Sequence, residues 1–136
     1  MAIKFPTDEW VKALCEELNK SEPYAQAAAT WEGDFYFIVE PEGSLTEPVY
    51  LYMDLWHGKC RSAGRVANPD EKKPEFVISA TLGTWRKVIE KQLDPIKGMM
   101  TRKLKLKGNM MKIMKVPKAA AELVNCCTLI PTEFPE

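Results

Sequence analysis

Apolar and polar positions follow two periods along this chain, and the two kinds of stretch are grouped, not interleaved. Trp10, Val11, Leu14, Cys15 and Leu18 recur at helical spacing behind Thr7, a good N-cap, with Asp8 and Glu9 where the helix dipole favours acids. This predicts an amphipathic helix from about residue 7 to 20. Ser21, Glu22 and Pro23 restart a second helix through the small-residue run Ala25 to Ala29, where another element can approach closely. Beyond Gly33 the period falls to two. Asp34 to Val39 reads as a strand with Phe35, Phe37 and Val39 on one face, and Val49 to Trp56 as another with Leu51, Met53 and Leu55 together. His57 and Gly58 turn into a third strand near Lys59 to Val66, and Glu75 to Leu82 is a fourth, with Phe76, Ile78, Ala80 and Leu82 inward. The segment Ala67 to Pro74, with two prolines and four charges, is a surface loop.

Helical spacing returns at Trp85, Val88, Ile89, Gln92 and Leu93, and Asp94 with Pro95 punctuates it. The stretch Asp94 to Val116 organises the rest: a helical turn opened by Asp94 and Pro95, a strand at Lys103 to Lys107, Gly108, and a helix opened by Asn109. In that strand Leu104 and Leu106 take one face and Lys103, Lys105 and Lys107 the other, so one side is buried and one is wet. Met110, Met111, Ile113 and Met114 fall on one broad side of the following helix. Five of the seven methionines therefore lie between Met99 and Met114. Composition alone says that they fill an irregular core; methionine's flexibility also suits a wall that re-packs around variable contents. After Pro117, Ala119 to Cys127 forms a last helix presenting Ala120, Leu123, Val124 and Cys127, as a lid or a packing partner. Strands clustered together with helices before and after make an α+β domain.

A chain of 136 residues fits one domain, expected over residues 1–136, with one core and a little room for a cavity. No stretch has the length of a membrane span, and the start MAIKFPTDEW lacks the apolar core of a secretory signal, so the expected location is cytoplasmic. The ending T-E-F-P-E carries no peroxisomal address. Cys15, Cys60, Cys126 and Cys127 show no disulfide framework and are expected as reduced thiols. Net charge is zero, but residues 86–118 hold eleven Lys or Arg against Glu90 and Asp94 only. Such a positive side suits an anionic membrane surface or simply a solvated face. Nucleic acid would find charge there without a stacking platform, because no aromatic lies between Trp85 and Phe134, and no specific nucleic-acid partner is expected.

Polar chemistry has little to build on. His57, the sole histidine, lies near Asp54 and Cys60, but a nucleophilic arrangement requires all three to converge across a turn. His57, Cys60 and the adjacent pair Cys126 and Cys127 make a poor zinc set, since neighbouring side chains do not readily face one ion. No glycine-rich phosphate loop or dinucleotide fingerprint is present, so no cofactor is expected. An apolar-ligand site needs no polar constellation, because each buried methylene contributes about 0.8 kcal/mol.

The run M-M-T-R-K-L-K-L-K-G-N-M, Met99 to Met110, resembles the closing motif of the sterol carrier protein type 2 family, in which two bulky apolar residues precede Q-G-K-L-K-I-x-G-N/D-M. The likeness extends back through W-E-G-D-F-Y-F-I-V at Trp31 to Val39, the Asp54 to Gly58 turn and F-V-I-S-A-T-L followed by a helix and D-P, covering about Ala25 to Val116. Arg102 stands where the family has glycine, which shapes the entry to that strand differently. The resemblance implies a five-stranded, mainly antiparallel sheet with helices packed on one face and an apolar tunnel between them, in a protein that binds or moves a fatty acid, fatty acyl or sterol-like molecule without catalysis. Carried over by motif, the wall comprises Phe35, Phe37, Met99, Met100, Leu104, Leu106, Met110 and Met114; helical spacing adds Trp85, Val88 and Ile89, with Arg102 or the neighbouring lysines for a ligand carboxylate or an anionic membrane. Two other readings stand beside it: an interaction or regulatory module that uses the fold without a ligand, and a thiol or metal protein working through His57 and Cys60.

Overall fold

In the computed structural model, which describes residues 2–135, the chain forms a five-stranded sheet with helices gathered on one face. Met1 and Glu136, the ends of the expected single-domain span, lie outside the described residues. The elements are β1 (Ile3–Lys4), α1 (Asp8–Lys20), α2 (Glu22–Ala27), β2 (Glu32–Glu40), β3 (Val49–Trp56), β4 (Lys59–Val66), β5 (Phe76–Thr81), α3 (Leu82–Ile89), α4 (Pro95–Met100), β6 (Lys105–Lys107), α5 (Met110–Met114), α6 (Pro117–Cys127) and β7 (Thr132–Glu133).

The main sheet runs β4-β3-β2-β5-β6. Three of its four pairings are antiparallel; β2 and β5, with Phe35 opposite Phe76 and Val39 opposite Ala80, are parallel. The alternation seen in the sequence sorts the faces. Phe35, Val39, Leu51, Met53, Leu55, Phe76, Ile78 and Ala80 enter one core, against which α1, α2, α3 and α6 also place their apolar sides. The opposite face carries Tyr36, Tyr50 and Tyr52, and the 67–74 loop lies across it, with the Tyr36 hydroxyl donating to the Lys72 carbonyl and accepting from the Lys72 N–H.

Local chemistry explains the helix starts. Thr7 accepts from the Trp10 N–H at 3.1 Å, Ser21 from Tyr24 at 3.2 Å, Asp94 from Ile96 at 2.8 Å and Asn109 from Met111 at 3.0 Å. Each satisfies an N–H that the first helical turn leaves without a partner.

Three expectations are corrected, and one strand pair is added. The strand expected over Glu75–Leu82 loses a residue at each end: it begins at Phe76, and Thr81 caps α3 so that Leu82 opens that helix. The strand expected over Lys103–Lys107 begins only at Lys105: the Leu104 N–H donates to the Gly98 carbonyl at 3.0 Å, which holds it to α4. Two short strands near the termini, β1 and β7, pair in parallel and were not expected. Cys15 and Cys60 are not free thiols; they form a disulfide joining α1 to β4, with Cα atoms 5.4 Å apart, while Cys126 and Cys127 are free and buried. A pairing across 45 residues depends on the packing of a helix on a strand, which local spacing does not reveal.

Candidate functional site

Between the sheet and the helices lies an apolar cavity of about 100 Å³. The sheet supplies Phe35, Phe37, Leu55 and Ile78. Trp85 and Val88 of α3, Pro95 and Met99 of α4 and Ile113 of α5 close other sides, and α6 covers it with Ala119, Ala120, Leu123 and Val124. A second cavity of about 60 Å³ adjoins it toward α1, bounded by Trp10, Leu14, Leu51 and Met53, and shares Phe37, Trp85, Val88, Leu123 and Val124 with the first. The apolar space thus takes the form of two adjoining cavities with a common wall.

The lining is almost wholly carbon, and the residues with polar tips are arranged to keep it so. The Trp31 indole donates to the Gly33 carbonyl at 3.0 Å and the Trp85 indole to the Ile38 carbonyl at 2.8 Å. Both rings therefore give the cavity a carbon face while their N–H groups bond to β2. Trp31, Phe35, Phe37 and Phe76 form a continuous aromatic cluster with ring centroids 5.1–5.7 Å apart. Burial pushes the titration of the Tyr24 phenol up, so that residue of the wall is neutral. The site thus presents a nearly continuous apolar surface.

The structure brings together six of the residues read from sequence: Phe35, Phe37, Trp85, Val88, Met99 and Leu104 all line the larger cavity. Ile89 lines the smaller one. The others stand elsewhere. Leu106 and Met110 are half-buried against the core, away from the cavity lining. Met100 is 61% exposed and Met114 38%, because α4 and α5 are each so short that only one flank, Met99 and Ile113, turns inward. Arg102 is exposed at the end of α4. Sequence reasoning did not place Tyr24, Trp31, Leu55, Ile78, Val116 or Ala119 in the wall. For α6 the one available signal in the sequence is the apolar side formed by Ala120, Leu123, Val124 and Cys127.

The thiol and metal readings lose their footing. Cys60 is bonded to Cys15, and His57, exposed in a turn at φ 48°, places Nε2 2.6 Å from a Glu32 carboxylate oxygen and stacks on Trp56. Among the described residues no cluster of three or more His, Cys, Asp or Glu is placed to hold a metal ion. Nor is any helix of the described residues long and apolar enough to cross a membrane.

The model of the SCP-2 sterol transfer family matches residues 11–121. The chain belongs to that family. The crystal structure of a sterol carrier protein 2 is similar at 38% identity with a TM-score of 0.81, covering 91% of this chain and 97% of the other. The solution structure of TT1886 from Thermus thermophilus is similar at 38% identity with a TM-score of 0.84, covering 93% and 90%. SCP2L2 of Aedes aegypti, solved in palmitated form, shares the fold at 14% identity with a TM-score of 0.53, covering 81% and 93%. Comparison with curated proteins gave no match. Membership of the SCP-2 family, a family of lipid and sterol binding and transfer, agrees with a site made of apolar surface.

Proposed function

We propose that this SCP-2 family chain is a non-enzymatic carrier that binds one hydrophobic molecule with a long acyl or comparable apolar body between its sheet and α6. The observation that carries the reading is the apolar pair of cavities, walled on one side by the Phe35, Phe37 and Trp85 rings and on the other by the small residues Ala119 and Ala120. Each methylene taken from water contributes about 0.8 kcal/mol, so a chain of moderate length is held without any directional contact. Phe35, Phe37, Trp85, Val88, Met99 and Leu104 form the wall in this proposal, Ile89 extends it into the second cavity, and Arg102 meets the charged end of the ligand or the membrane that delivers it.

The size of the cavity sets a condition. At about 100 Å³ it is smaller than the roughly 150 Å³ space that accommodates benzene in an engineered protein core. A lipid must therefore part α6 from the sheet and join the two cavities into the tunnel. Small residues on α6 favour this, because Ala119 and Ala120 make few interlocking contacts to break. The same small volume favours the alternative of an interaction module with a filled core.

Palmitate is a suitable first probe, being the lipid of the Aedes aegypti relative with this fold. Native mass spectrometry should show one palmitate per chain, lost in Ala120→Phe, whose ring occupies the cavity without disturbing the sheet. A protein that keeps its free mass with palmitate, fatty acyl thioesters and sterols alike would instead be the ligand-free module. Cytoplasmic placement is part of the proposal and is checked by fractionation.

A further inference from the structure

Residues 95–121, which span α4, β6, α5 and the start of α6, hold eight Lys or Arg and no Asp or Glu. Two of the eight are paired, Lys105 with Glu40 and Lys112 with Glu75. Lys97, Arg102, Lys103, Lys107, Lys115 and Lys118 are exposed, and none pairs with a carboxylate among the described residues. The rest of the chain keeps eleven bases against all nineteen acids. A molecule of zero net charge is thus divided into one cationic segment and an acidic remainder.

The same segment carries Met100, Met111 and Met114, three of the five exposed large apolar side chains among the described residues. Met111 is 64% exposed. Met100 follows Met99 and Met114 follows Ile113, so two of the three adjoin residues of the cavity wall. Both α4 and α5 pack on α6, the helix that covers the cavity.

We propose that the α4–α5 face is the surface on which this protein docks to an anionic bilayer, with Met100, Met111 and Met114 entering the acyl boundary and the unpaired cations holding the headgroups. The inference rests on the lipid-carrier reading and deepens it by naming the membrane-facing side. Apolar side chains set among cations, on a segment that carries no acid of its own and whose only acid partners among the described residues are Glu40 and Glu75, match an interface in which acyl chains and anionic headgroups lie side by side. An acidic protein surface would satisfy the charges but leave the methionines in water, and a nucleic acid would find no ring to stack on. Charge also dictates orientation: the bilayer attracts this face and repels the acidic remainder, which brings the cavity side to the lipid.

Sedimentation with phosphatidylcholine vesicles, with and without phosphatidylserine, tests it. Binding is expected only with phosphatidylserine and should fade as salt is raised. Each cation near such a surface contributes about fivefold in partitioning, so losing two weakens binding about twentyfold, and reversing both in Lys115→Glu with Lys118→Glu should weaken it well beyond that. Met111→Ser with Met114→Ser should weaken it severalfold while leaving its salt dependence. Lys20→Glu, on α1, should change it far less. Absence of binding to anionic vesicles, or equal losses from Lys20→Glu and the Lys115 and Lys118 pair, would overturn the assignment. Palmitate binding without vesicles separates the two ideas. If palmitate binds but vesicle binding ignores these residues, the docking face is wrong and the carrier reading stands. If vesicle binding follows these residues while no lipid enters the protein, the face stands and the carrier reading fails.

Discussion

The Lys112 ammonium lies 2.8 Å from a Glu75 carboxylate oxygen, donates to the Glu32 carbonyl, and sits 5.1 Å from the centre of the Trp31 ring. One side chain of α5 thereby grips the start of β2 and the approach to β5, while its neighbour Ile113 closes the cavity. Lys112→Ala should lower stability by about 1 kcal/mol, combining a partly exposed ion pair with a cation–π contact. Hydrogen exchange should show α5 opening faster than α1. Unchanged exchange at Met111 to Met114 would mean that the helix is held by its apolar flank alone.

Gly108 has a different role at the same joint. Its φ is +139°, and a Cβ there would stand 2.7 Å from Phe76 Cδ1 and 3.1 Å from the Glu75 carbonyl oxygen. Phe76 is fully buried, so the ring has little room to retreat. Gly108→Ala should cost about 2 kcal/mol or more through overpacking and backbone strain, read by denaturant titration. A loss of only a few tenths would show that the turn relaxes freely.

Arg102 occupies the left-handed region at φ 62°, where the family motif has glycine. A φ of this sign is one that glycine adopts freely, so Arg102 carries a side chain on a backbone conformation suited to glycine. Arg102→Gly should raise stability by about 0.5–1 kcal/mol, the relief of a left-handed non-glycine residue offset by greater freedom in the unfolded chain. A fall in stability would show that the guanidinium makes a compensating contact.

Burial pushes the Cys127 thiol up to about 12. A raised folded pKa means that the thiol contributes no penalty below its ordinary value of 9.0, and that stability is lost as pH rises from there toward 12. At mild pH neither Cys126 nor Cys127 should react with iodoacetamide in the native protein. Unfolding without reductant should release two reactive thiols, and with reductant four, counted by mass. Four thiols without reductant would contradict the Cys15–Cys60 bond.

What the sequence made legible was local. Strand β3 begins at Val49 and ends at Trp56 as alternation indicates, and Thr7, Ser21, Asp94 and Asn109 cap the helices expected of them, because caps and periods act within a few residues. The aromatic side of the cavity was legible for the same reason: Phe35 and Phe37 share a strand face. What failed was settled at long range. Period alone put Met110, Met111, Ile113 and Met114 on one broad side, but α5 is five residues long and is fixed by Lys112 reaching Glu75, so Ile113 turns inward and Met114 does not. Leu104 became core, not strand, through a bond to Gly98, and Cys15 met Cys60 only because α1 lies on β4.

The central claim is that a lipid enters beside Trp31 and Trp85. A fatty acid brominated near its tail quenches indole fluorescence on contact, and single-tryptophan variants isolate each ring. The account predicts saturable quenching of Trp85 and Trp31 at one equivalent, abolished by Ala120→Phe, with exposed Trp56 unaffected. Quenching of Trp56 alone, or none at any ring while the protein remains folded, would contradict it.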